Sequence, residues 1–139
     1  KFKNILGINL YAKRFRIGLT DNGSEFFDPY QIEKDYDTGK KITNLFYCDP
    51  NRPDQKGGIE KNHEYIRIIY PKGTSFNNLT KEDVILLENT INNIPRDSLH
   101  GLSPYQATKD KYPLFISKLS YVTYIAPDDI DLSPKNGGK

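Results

Sequence analysis

Apolar positions along this chain change period several times, and each change marks an element. Residues 15–20, Phe15-Arg16-Ile17-Gly18-Leu19-Thr20, alternate apolar with small or polar side chains, the signature of a half-buried strand. They run into Asp21-Asn22-Gly23, a strong turn signal. A second strand is expected over residues 41–48, Lys41-Ile42-Thr43-Asn44-Leu45-Phe46-Tyr47-Cys48. Ahead of the first strand a short helix is expected over residues 8–14. Between the strands, Asp28-Pro29 can start a short helix within residues 26–32. The charge-dense stretch 33–41 then reads as an exposed hairpin tip or extended loop.

The second half of the chain has helical spacing. Ile59, Ile66 and Ile69 follow a breaker-rich loop holding Pro53, Gly57 and Gly58, so a helix should start near Gly58 and turn these isoleucines to a core. Val84, Leu87, Ile91 and Ile94 predict a helix over 81–93, with Thr80 as N-cap and Asp83 three residues on. Ser103-Pro104 opens a helix to about Lys109, residues 114–119 suit another, and residues 121–125 suit a strand. Residues 127–139 are polar, with Pro134 and a Gly-Gly end, and are expected to form a mobile tail. Strands set among helices make the chain α/β.

Composition narrows the function only slightly. A chain of 139 residues suits one domain with a real core. The net charge of +2 is too small to prove a nucleic-acid partner. Residues 1–16 nonetheless carry Lys1, Lys3, Lys13, Arg14 and Arg16 and no acid, while Asp128, Asp129 and Asp131 fall in the tail. Such a basic end can lie along a phosphate backbone or be a solvated face. Cys48 is the only cysteine, so no internal disulfide forms and a reducing compartment is the simpler reading. No run of eighteen apolar residues exists, and no signal-peptide pattern opens the chain, so no membrane role is expected.

Two places carry candidate chemistry. Glu60, His63, Glu64 and Arg67 fall at i, i+3, i+4 and i+7 and share one helix face, away from the isoleucines. Glu60 lies in the first turn, where the helix dipole favours a carboxylate. Behind the Gly57-Gly58 loop it is suited to holding a divalent metal beside a backbone that approaches a phosphate; the plainer alternative is a solvated charged face. Asp21, at a strand end before a tight turn, occupies a usual ligand position in an α/β sheet. Its plainer alternative is a turn former bonding its own backbone.

Taken in order, these stretches resemble a family. Thr20-Asp21-Asn22-Gly23-Ser24-Glu25-Phe26 resembles the second-aspartate motif of DDE transposases and integrases. Tyr47-Cys48-Asp49-Pro50 and Gln55-Lys56-Gly57-Gly58-Ile59-Glu60-Lys61-Asn62 resemble their third motif. Tyr70-Pro71-Lys72-Gly73-Thr74, Leu79-Thr80, Asn92-Asn93, Pro95-Arg96, Leu99, Gly101 and Pro104 continue the likeness, which runs from about residue 16 to 112 and is nearest to the insertion sequence 30 family.

The resemblance implies a ribonuclease-H-like fold in which a carboxylate triad holds two Mg2+ or Mn2+ ions for DNA cleavage and strand transfer. Asp21 matches the second aspartate, after the fourth strand, and Glu60 the glutamate, on the helix after the fifth; both would be catalytic metal ligands, with Glu64 in reserve. Thirty-eight residues separate them, slightly more than is common, and the segment 33–41 can supply the excess. Gln55, Lys56, Lys61 and Arg67 are the expected DNA contacts. The implied partners are transposon ends and target DNA, with a homo-oligomer in the complete protein and a cytoplasmic, nucleoid-associated location.

Residues 1–20 hold no Asp or Glu to match the first aspartate. The expectation is therefore that residues 1–126 are the C-terminal portion of a catalytic core lacking its first three strands, and that this chain alone is inactive. Two alternatives stay open: a non-catalytic DNA-binding or assembly fragment, and a ribonuclease-H-like nuclease that does not transpose.

Overall fold

The computed structural model describes residues 2–21, 23, 24, 28–49 and 57–135, the side chains of 57–60 excepted. The chain forms two compact units, Lys1–Gly57 and Gly58–Lys139.

The first unit opens with helices α1 (Phe2–Leu6) and α2 (Ile8–Arg14). Gly7, at φ 76°, separates them in a conformation that favours glycine, which is why the expected helix has a second one ahead of it. Strand β1 (Ile17–Thr20), helix α3 (Tyr30–Glu33) and strand β2 (Asn44–Tyr47) follow. The strands pair in parallel, Ile17 opposite Asn44 and Thr20 opposite Tyr47, so both end at the same edge. Arg16 O accepts from Asn44 N at 3.0 Å and Thr20 O from Cys48 N at 2.7 Å.

Both strands are shorter than the pattern predicts, because neighbours claim their ends. Phe15 N donates to Tyr11 O and closes α2, while Ile42 N and Thr43 N both donate to Glu33 O. Residues 34–41 form the expected hairpin tip: Lys34 bridges Lys41 antiparallel, and Gly39 turns at φ 67°.

Alternate N–H groups of β2 point away from β1. One of them, Leu45 N, donates to Glu33 Oε1 at 2.8 Å, and Lys41 Nζ lies 3.2 Å from the same oxygen. The Leu45 N–H, more than Lys41, holds the Glu33 carboxyl below its ordinary range. A carboxylate thus satisfies a backbone donor on the outer edge of the sheet, where an open edge would invite another strand. Lys3 Nζ ties α1 to this region by donating to Gln31 O and Lys34 O, with Tyr11 and Tyr36 rings at 5.5 and 5.1 Å. Desolvation at this junction pulls the Lys3 amine below its usual range.

The second unit is helical: α4 (Gly57–Ile69), α5 (Lys81–Asn93), α6 (Pro104–Lys111) and α7 (Pro113–Ser117). Thr80 and Asp83 form a reciprocal capping box on α5, as do Ser103 and Gln106 on α6, each satisfying helix-start N–H groups. The core holds Ile69, Tyr70, Ile91, Ile94 and Leu119, joined by the buried polar residues Asn89, Thr90, Asn93 and Ser103. Only the C-terminal half of α5 is buried; Val84, expected to face a core, is 49% exposed.

Residues 121–125 do not form a strand. Their polar backbone groups bond to asparagine side chains of α5, which replace a neighbouring strand: Asn89 Nδ2 donates to Tyr121 O, Thr123 N donates to Asn89 Oδ1, and Asn93 Nδ2 donates to Thr123 O. A 3-10 turn at Pro127–Asp129 follows, and Lys135 N then donates to Ile69 O at 2.7 Å, satisfying a carbonyl at the end of α4. Among the described residues no helix is long and apolar enough to cross a membrane.

Candidate active site

Asp21 follows β1 directly, exposed, at the edge where both parallel strands end. The local cause is the register: Thr20 O is held by Cys48 N, and the chain leaves the ladder one residue later. Gly23 N approaches Asp21 Oδ1 at 3.4 Å, a long contact of the turn-former kind.

Glu60 lies in the first turn of α4, as the sequence places it, in the second unit. Its side chain lies outside the described part, as do Gln55 and Lys56 entirely. Asp21 and Glu60 therefore belong to different units. Among the described residues, no group of three or more His, Cys, Asp or Glu stands close enough to hold a metal ion.

Further along α4 the geometry is explicit. His63, Glu64 and Arg67 are all exposed, and Ile69 is buried, so the helix turns the faces the spacing predicts. Lys61 Nζ donates to Glu64 Oε2 at 2.6 Å and sits 5.7 Å from the Tyr65 ring centre. The Glu64 partner raises the Lys61 pKa and keeps the amine charged. A phosphate reaching Lys61 competes with Glu64 for it, whereas Arg67 stands exposed in the last turn.

One cluster on α4 was not singled out from the sequence. Arg96 Nη2 donates to Asn62 Oδ1 at 2.9 Å, and its guanidinium lies 5.0 Å from the Tyr65 ring centre. The available signal was a polar Asn62 and an amphipathic Tyr65 on the apolar side of the helix, with an arginine following a helix end at Pro95.

Known proteins similar to this chain are transposases and an integrase. It is 33% identical over 89 residues to the transposase for insertion sequence element IS4351 of Bacteroides fragilis, a match covering 64% of this chain and 26% of that protein. It is 30% identical over 103 residues to the putative integrase ORF3 of Spiroplasma virus SpV1-R8A2 B, covering 74% of this chain and 30% of that protein. It is 33% identical over 73 residues to the transposase InsI for insertion sequence element IS30A of Escherichia coli strain K12, covering 52% and 18%. The chain is a homologue of transposases and integrases, the insertion sequence 30 family among them. It spans less than a third of the length of these relatives. No family model matches the chain, and no solved structure matches it.

Proposed function

We propose that this chain is part of the catalytic core of a DNA transposase or integrase with a ribonuclease-H-like fold, acting in DNA cleavage and strand transfer. The observation that carries the reading is the parallel β1–β2 pair, with Asp21 leaving its carboxyl edge and the Glu60 helix following β2 in the chain. Ligands of open α/β sheets gather outside that edge. The similarity to transposases and an integrase supplies the class of substrate, DNA.

Asp21 and Glu60 are the residues that would hold Mg2+ or Mn2+. The donors are carboxylate oxygens, which suit hard divalent cations, and Asp21 is exposed at the strand end. Bound there in the complete domain, such ions would stabilise the entering and leaving oxygens of a phosphoryl displacement. Glu60 lies in the first turn of α4. Lys61 and Arg67, with Gln55 and Lys56, line the DNA path and neutralise phosphates. Glu64, paired with Lys61, orients that amine and is a ligand only in reserve.

The test is an oligonucleotide cleavage and joining assay on the complete protein with Mg2+ or Mn2+. Asp21→Asn and Glu60→Gln should each lower the rate by about 100-fold or more, a loss of about 2.7 kcal/mol of barrier stabilisation. Wild-type rates from both variants would remove the site assignment. DNA binding with no metal-dependent strand chemistry in the wild type would favour the assembly-fragment alternative.

A further inference from the structure

We infer that Arg96 is a positioning residue that sets the rotation of α4 and thereby the place of Glu60; this rests on the role proposed for Glu60. Arg96 is held at both backbone ends. Its N–H donates to Leu102 O at 3.1 Å, and its carbonyl accepts from Leu99 N at 2.9 Å and Gly101 N at 3.0 Å. His100 and Gly101, at φ 54° and 82°, close that turn in the left-handed region. From this fixed base the guanidinium reaches α4 at two points, Asn62 Oδ1 at 2.9 Å and the Tyr65 ring at 5.0 Å. A longer contact from Nη2 to Ile91 O, 3.4 Å, ties the same group to α5.

The two contacts fall on one side of the helix. At about 100° per residue, Asn62 lies about 200° and Tyr65 about 140° around the axis from Glu60. Buried Ile69 lies at about 180° on the same scale. Arg96 thus grips α4 from the core side, opposite the face that carries Glu60. The lever is short. A side-chain end about 5–6 Å from the axis moves about 1 Å when the helix turns by about 10°. A misplacement of that size costs about 100-fold in rate. A hydrogen bond to a flat amide and a cation over a ring both have directional preferences, so together they resist such a turn better than apolar packing alone.

The experiment uses the complete protein with Arg96→Ala, Arg96→Lys, Asn62→Ala and the double variant Asn62→Ala/Arg96→Ala. Strand transfer is measured against Mn2+ concentration, Mn2+ binding by calorimetry, DNA affinity by anisotropy, and stability by melting. Arg96→Ala should lower kcat by about 10- to 100-fold and weaken Mn2+ binding, with DNA affinity within about twofold. Asn62→Ala should do the same to a smaller degree, and the double variant should be no worse than Arg96→Ala, because Arg96→Ala already removes the contact that Asn62→Ala removes. Arg96→Lys keeps a cation near Tyr65 and should restore melting more than Mn2+ binding.

Unchanged kcat and Mn2+ binding in Arg96→Ala would overturn the inference, as would additive losses in the double variant. Recovery of Mn2+ binding in step with melting in Arg96→Lys would reduce Arg96 to a stabilising role and overturn it too. If Arg96→Ala does not fold, Asn62→Ala carries the same reading, since it leaves the arginine on Tyr65. Glu60→Gln separates the two levels. Full activity there removes the proposed role of Glu60, whereas a dead Glu60→Gln beside an unaffected Arg96→Ala removes only the role of Arg96.

Discussion

Thr123 donates its backbone N–H to the side-chain oxygen of Asn89 at 3.0 Å, and Asn89 returns a donor to Tyr121 O at 2.9 Å. One helix turn later Asn93 donates to Thr123 O and to Asn89 O, each at 2.9 Å. Two amides on one helix face therefore satisfy three polar groups of a backbone segment that has no strand beside it. An asparagine carries both a donor and an acceptor, which is what a neighbouring strand would supply. Asn93 is 2% exposed and its bond to Asn89 O is buried, while the bonds to residues 121–123 are part-buried.

Asn89→Ala should orphan the Tyr121 carbonyl and the Thr123 N–H together. Both bonds are part-buried, so at about 0.5–1.5 kcal/mol net for each hydrogen bond, urea unfolding of the complete protein should show a loss of about 1–3 kcal/mol. Asn93→Ala should cost a similar amount. A change below about 0.5 kcal/mol in both, the range of ordinary surface substitutions, would mean that water replaces the asparagines.

Glu33 should make stability depend on acid pH. Its carboxyl is held below the ordinary 4.5 by the Leu45 N–H first and by Lys41 after desolvation is offset. A group depressed in the folded state contributes stability that is present above its unfolded pKa and lost as pH falls through its folded pKa. The melting temperature should therefore fall as pH drops from about 4.5, and less so in Glu33→Gln. Asp83 and Asp131 are lowered as well, by Thr80 and Ser133, so the difference between wild type and Glu33→Gln is the quantity to read. Parallel melting curves for the two proteins across that window would exclude the Glu33 contribution.

Gly18 should resist substitution because of Leu45. A Cβ at Gly18 would come 2.9 Å from Leu45 Cδ1, across the parallel pair. Gly18→Ala should destabilise by about 1–3 kcal/mol, the usual cost of overpacking. Adding Leu45→Val, which removes the offending methyl, should recover part of it. If Leu45→Val recovers nothing in the Gly18→Ala background, the close approach is not the cause.

DNA binding should be electrostatic and carried partly by α4. Arg67→Ala should weaken affinity for all sequences and shallow the salt dependence by about one unit of slope. Lys61→Ala should have a smaller effect, because Glu64 already holds that amine at 2.6 Å. Glu64→Gln releases Lys61 and should tighten DNA binding slightly, while costing far less strand transfer than Glu60→Gln. Equal losses of strand transfer from Glu64→Gln and Glu60→Gln would contradict the division of roles between the two glutamates.

Much of the local structure was legible from neighbouring residues alone. The helix at 81–93, the N-caps Thr80 and Ser103, the hairpin tip after Glu33 and the exposed face of α4 follow from spacing, capping chemistry and turn residues. All of these depend on interactions within about seven positions. The motifs around Asp21 and Glu60 likewise pointed to transposases and integrases, and the similarity to such proteins agrees.

What the sequence by itself determined, then, is where helices start, which residues turn the chain and which kind of protein the motifs resemble. Only the tertiary structure decided the parallel register of Ile17–Thr20 on Asn44–Tyr47, the capture of Leu45 N–H by Glu33, the grip of Arg96 on Asn62, and the loss of a strand at 121–125 to Asn89 and Asn93. Each of these joins residues a dozen or more positions apart. Their side chains carry no periodicity that reveals a partner, because a polar group accepts any donor of the right geometry. Which one it meets depends on how the helices and strands pack.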